Sequence, residues 1–137
     1  MSKIALFIVL VLMLSGCGKA SNVVPDVAVN LTLPLSDPRL LGASSAGGAV
    51  TISGYGVAGL IIYKTLAGGY VCFDRCSTVN PEKRCAVTLD AGAFTATDPC
   101  SGGKYLLEDG SPVKAPATIS LKQYSVYQSI SSIQITN

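Results

Sequence analysis

From Val27 onward the apolar residues come in short runs, and no window keeps a 3.6-residue apolar period. This excludes a helical bundle and predicts strands. Val27 to Leu33 alternates in the two-residue period of a half-buried strand, and Pro34, Asp37 and Pro38 end it. Further β segments are expected at Val50 to Ser53, Gly59 to Thr65, Tyr70 to Asp74, Cys85 to Leu89, Phe94 to Thr97, Tyr105 to Leu107, Ile119 to Val126 and Ser131 to Thr136. Ala67-Gly68-Gly69 and Asp90-Ala91-Gly92 have the composition of hairpin turns, and residues 42–49 read as a flexible loop. Few aromatics and abundant Val, Ile, Thr and Gly agree with this reading. The expected fold class is all-β, an antiparallel sandwich or a partly open barrel.

The first residues follow a different logic. Lys3 supplies a cationic start, Ile4 to Leu14 carry no charge, and Leu14-Ser15-Gly16-Cys17 places small residues before a cysteine, the layout of a cleaved signal peptide. The apolar run is shorter than the roughly 20 residues that span a bilayer. The motif resembles the bacterial lipobox. That resemblance implies cleavage after residue 16 and a lipid on Cys17, hence a membrane-bound protein with acyl chains rather than a helix as anchor. Residues 17–26 are then the lipidated cysteine and its tether, and residues 27–137 one domain, since the mature chain is long enough for one core and not two. Gly18 follows the cysteine with no acidic residue in Lys19 to Asn22. By the sorting rule of enteric bacteria this points to the outer membrane, facing the periplasm or the cell surface.

Ten basic and eight acidic side chains, one of them Lys3, leave the mature chain near neutrality, which excludes nucleic acid as an expected partner. The chain has no histidine. A Ser-His-Asp hydrolase is thereby excluded, and so is the usual general base at neutral pH. Four cysteines follow Cys17: Cys72, Cys76, Cys85 and Cys100. Beyond the cytoplasmic membrane an even count reads first as disulfides. Their spacing contains no C-x₂-C knuckle, so no metal site is expected.

Residues 69–127 resemble the Rieske iron–sulfur domain. Asp98-Pro99-Cys100-Ser101-Gly102-Gly103-Lys104-Tyr105 is similar to the family's Cys-Pro-x-His-Gly-Ser-x-Phe. The acidic Asp109-Gly110 turn and Ala115-Pro116-Ala117 follow in the family's order, and Leu121 to Val126 fits its closing strand. Tyr70 to Thr78 resembles the strand leading into the first ligand pair. The resemblance implies a Rieske-like β fold with two cluster-binding-type loops. A Rieske centre binds one iron through two Cys and the other through two His. Carried onto this sequence, the ligand positions hold Cys76, Thr78, Asp98 and Ser101, so only one of the four retains a ligand. The resemblance therefore implies a degenerate site with no cofactor, a [2Fe–2S] cluster held atypically by cysteines being the alternative. The family's loop-joining disulfide falls near Cys85 and Cys100. Cys72 and Cys76 would form a second short-range pair or stay apart, with Cys72 buried and Cys76 exposed, and a shuffled Cys76 to Cys100 pair also stands open.

Other candidate sites have simpler readings. Asp74, Arg75, Glu82, Lys83 and Arg84 read as a solvated loop that could alternatively dock a partner. Glu108 and Asp109 are adjacent, unlike the separated carboxylates of a glycosidase, and Asp109-Gly110 reads as a turn. Gly54 to Gly59 gives Gly-x-Gly-x-x-Gly, but a strand follows where a dinucleotide site needs a helix. The expected function is a non-catalytic binding or structural module of the cell envelope, with the lipid membrane and an envelope protein as partners. The alternative is a Rieske-type electron-transfer protein.

Overall fold

The computed structural model describes residues 23–137. Cys17, the segment before it and most of the expected tether lie outside the described residues. Packing begins inside the tether's last residues, since Val24 is buried and Asp26 pairs with Lys122.

Among the described residues ten strands form two antiparallel sheets. They are β1 (Asn30–Pro34), β2 (Ala49–Ile52), β3 (Leu60–Lys64), β4 (Tyr70–Asp74), β5 (Thr88–Leu89), β6 (Thr95–Thr97), β7 (Lys104–Leu106), β8 (Pro112–Lys114), β9 (Gln123–Gln128) and β10 (Ser132–Thr136). The larger sheet has the order β1-β10-β9-β4-β3-β2 and the smaller β5-β6-β7-β8. The all-β, antiparallel expectation from sequence is met. Among the described residues no helix is long and apolar enough to cross a membrane.

β3 explains why two sheets share one body. Leu60, Ile61, Ile62 and Tyr63 are all buried, because both faces of this strand are covered. Leu60 and Ile62 pack on one face with Cys72, Leu31, Leu33, Ile133 and Ile135. Ile61, Tyr63 and Phe73 pack on the other with Val87, Ala96, Tyr105 and Leu107, which belong to the smaller sheet and its flanks. The strand period of two sends successive side chains into opposite cores.

Several sequence expectations shift. Val27 to Val29 precede β1, and Ile119 to Lys122 form the approach to β9 rather than part of it. β8 and two 3₁₀ turns, Pro38–Ala43 and Pro81–Lys83, were not expected. Residues 42–49 are not a free loop: Ala43 and Gly47 are buried, and the Gly47 and Lys64 backbones close on each other, with Lys64 also donating to Gly48.

Candidate functional site

β4 leads through Asp74 into a long excursion, residues 75–87, that folds back on itself. The Val87 amide donates to the Arg75 carbonyl, the Ser77 amide to the Cys85 carbonyl, and Cys76 faces Ala86 in an isolated antiparallel bridge. Asn80 and Arg84, both at φ 50°, turn the chain at either end of the 3₁₀ turn. The second loop, residues 98–103, joins β6 to β7 and is closed by the Asp98 amide on the Gly103 carbonyl. A Cys85–Cys100 disulfide links the two loops, with Cα atoms 6.4 Å apart.

Polar side chains make the second link. Asp98 is fully buried, and its Oδ2 accepts from Ser77 Oγ at 2.7 Å and from Ser101 Oγ at 2.6 Å. Its Oδ1 accepts from the Cys100 amide at 2.8 Å. Burial pushes this carboxyl upward, but the hydrogen bonds from Ser101, Ser77 and the Cys100 and Ser101 amides outweigh it and hold Asp98 below the usual carboxylate range. The buried Tyr105 hydroxyl completes the network, lying 3.2 Å from Ser77 Oγ and 2.9 Å from Thr78 Oγ1 and accepting from the Thr78 amide. Thr78 Oγ1 also donates to the Ile119 carbonyl at 2.6 Å.

A second buried carboxylate braces the base of the first loop. Asp74 accepts from the Val57 and Ala58 amides, from the Cys76 amide and from the Tyr124 hydroxyl, at 2.7 to 3.1 Å. The Gly54 to Gly59 segment, no dinucleotide site, is thus a cradle for this carboxylate. Tyr124 is pushed above its ordinary range, by burial first and then by its bond to Asp74.

The remaining thiols correct three expectations. Cys72 and Cys76 are both buried and both free, so they form no pair, Cys76 forms none with Cys100, and Cys76 is not exposed. Cys76 Sγ sits 3.6 Å from the Ser77 and Pro81 carbonyls. Burial, helped by the Asp74 charge, pushes its thiol up to about 11, and burial raises Cys72 further. The charged run divides as well: Glu82, Lys83 and Arg84 are exposed, Arg75 donates to the Val87 carbonyl, and Asp74 is buried rather than solvated. Asp109 caps its own turn by accepting from the Ser111 amide and hydroxyl, and Glu108 accepts from the Leu66 amide.

The structure therefore brings Thr78, Asp98 and Ser101 into one network with the Cys85–Cys100 link at its side, while Cys76 lies beyond it on the Asp74 side. Ser77, Tyr105 and Tyr124 were not singled out from sequence, and Asp74 was named only as part of a solvated charged run. Ser77 lies between two positions that were, and Tyr105 closes the quoted motif, so both were within reach.

No protein-family model matches the chain, and no curated protein matches it. Solved structures do. The plasma membrane Rieske protein of the cyanobacterium Synechocystis PCC 6803 superposes with a TM-score of 0.58 at 18% identity, over 77% of this chain and 99% of that one. The domain is Rieske-like in fold. A chain from the complex of reduced oxygenase and oxidized ferredoxin in carbazole 1,9a-dioxygenase gives a TM-score of 0.51 at 19% identity, over 79% of this chain and 93% of that one. In this Rieske-like frame, the smaller sheet carries both linked loops and the larger sheet anchors them through β4.

Proposed function

We propose that the protein is a lipid-anchored envelope lipoprotein whose Rieske-like domain has lost its iron–sulfur ligands and serves as a non-catalytic binding or structural module. The single observation that carries this reading is Asp98. At a position where a Rieske cluster takes a thiolate, a buried carboxylate accepts hydrogen bonds from Ser77, Ser101 and the Cys100 amide. Thr78, at a histidine position, is likewise engaged with Tyr105 and the Ile119 carbonyl. A chain with no histidine offers no imidazole for the second iron. The donor set does not fit the cluster.

In this reading hydrogen bonds and a disulfide do the mechanical work of the cluster. They hold loops 75–87 and 98–103 in fixed register, and the exposed Glu82, Lys83, Arg84 and Cys100 form their outer surface, toward an envelope protein. The anchor is the lipid on Cys17, in the outer membrane.

The test uses the mature protein purified from its own envelope in detergent. The expected result is no iron, no visible absorbance and partition into the detergent phase that a Cys17→Ala chain loses. Two irons per chain with charge-transfer absorbance persisting through gel filtration would overturn the non-catalytic reading and favour electron transfer. Detergent partition unchanged in Cys17→Ala would overturn the anchor.

A further inference from the structure

The disulfide and the buried carboxylate are one cluster. The Sγ atoms of Cys85 and Cys100 and a carboxylate oxygen of Asp98 all lie within 4.8 Å of one another. A zinc ion with bonds of about 2.3 Å to sulfur and about 2.1 Å to oxygen needs ligand atoms roughly 3.5–3.8 Å apart in a tetrahedron. Side-chain rotation covers that difference once the sulfurs are no longer bonded to each other. Cys100 is exposed and Cys85 half-buried, so a reductant reaches the bond.

We propose that reduction of Cys85–Cys100 opens a binding site for a thiophilic divalent cation such as Zn²⁺, formed by the two thiolates and Asp98, with water as the fourth ligand. The reductant is a dithiol. It gives two electrons and two protons to the S–S bond, leaving two cysteine thiols and its own disulfide. On binding, the cation displaces the two thiol protons to solvent and forms two metal–sulfur bonds. Ser77 and Ser101 then act as outer partners that aim the carboxylate, as hydrogen-bonded neighbours commonly do for metal-ligating carboxylates. The metal takes over the link between the loops that the disulfide gives up.

The oxidised protein is its own control, because it retains the free thiols Cys72 and Cys76. The full mature chain is reduced with a dithiol, freed of it under nitrogen and titrated with Zn²⁺ against a chromophoric chelator. Co²⁺ is used in parallel to read thiolate charge-transfer absorbance. The reduced protein is expected to bind one Zn²⁺ per chain and give that absorbance, and the oxidised protein to do neither. Asp98→Asn is expected to weaken Zn²⁺ at least about tenfold, and Cys85→Ser to abolish the charge-transfer band. Equal binding by reduced and oxidised protein would overturn the proposal. So would a reduced protein that binds no metal, or wild-type affinity in a folded Asp98→Asn chain. Should Asp98→Asn fail to fold, the redox comparison and Cys85→Ser decide alone.

Discussion

The Ser77 hydroxyl donates to the Asp98 carboxylate at 2.7 Å, joining two loops through residues 21 apart in sequence. Both residues are buried, and the same hydroxyl accepts from the Val79 amide at 3.1 Å, so one small side chain orders its own loop and fastens it to the other. Hydrogen bonds to charged groups contribute about 1.5–3 kcal/mol. Ser77→Ala should therefore destabilise the domain by about that amount. Denaturant melts of wild type and variant check it, with an unchanged midpoint as the contrary result.

Asp98 also sets an acid response. Its folded pKa lies below the unfolded value of about 3.9, so between the two values the unfolded chain binds the extra proton. Its contribution is then complete above the unfolded value and is lost as pH falls toward the folded one. Asp90 shifts the same way: its bonds from Thr95, Thr97 and Lys104 outweigh its burial. The expected outcome is a stability plateau above about pH 5 with decline below about pH 4. In Asp98→Asn the neutral-pH stability should be lower and the acid decline shallower. Urea melts from pH 2 to 7 measure both, and parallel curves for the two proteins would contradict the assignment.

The disulfide spans a sequence separation of 15 residues, for which loop-closure entropy gives about 3 kcal/mol. Reduction under metal chelation should lower the unfolding midpoint accordingly while leaving the β-rich circular dichroism intact, because the two cores do not include either cysteine. Thiol counting supplies the companion result. The native oxidised protein should react slowly with an Ellman-type reagent, since the free thiols among the described residues, Cys72 and Cys76, are buried, and should yield both on denaturation.

Much of the fold was legible because its cause is local. The run Leu60 to Tyr63 between glycine-bearing segments is what a strand covered on both faces requires, and the β3–β4 turn at Gly68 and Gly69 follows from composition. β8 was not legible: Pro112–Lys114 is short and mostly exposed, and it owes its pairing to β7. Ile119 misled, since its side chain is exposed and its carbonyl serves Thr78. At the site, Thr78, Asp98 and Ser101 could be named through the family resemblance. What they do instead could not, because Asp98 meets Ser77 and Thr78 meets Tyr105 only after both loops are folded against the larger sheet. Asp74 shows the same limit. Within a charged run it looks solvated, and only the amides of Val57 and Ala58, 17 and 16 residues earlier, explain its burial.

Those amides depend on one glycine. Gly56 has φ +65°, and a Cβ there would press against Asp74 Oδ2 and lie 2.8 Å from the Tyr124 hydroxyl. Both atoms are fixed by the bond between them, so neither side chain can swing away without breaking it. Gly56→Ala then combines the roughly 1–2 kcal/mol cost of a left-handed alanine with displacement of a buried, hydrogen-bonded carboxylate, and a loss of about 3 kcal/mol or more is expected. Gly54 provides the control. It has a similar φ of +89° but no atom within 4 Å of the added Cβ, so Gly54→Ala should show the backbone cost alone. Equal losses in the two variants would mean that the Asp74 cradle contributes nothing beyond the turn itself.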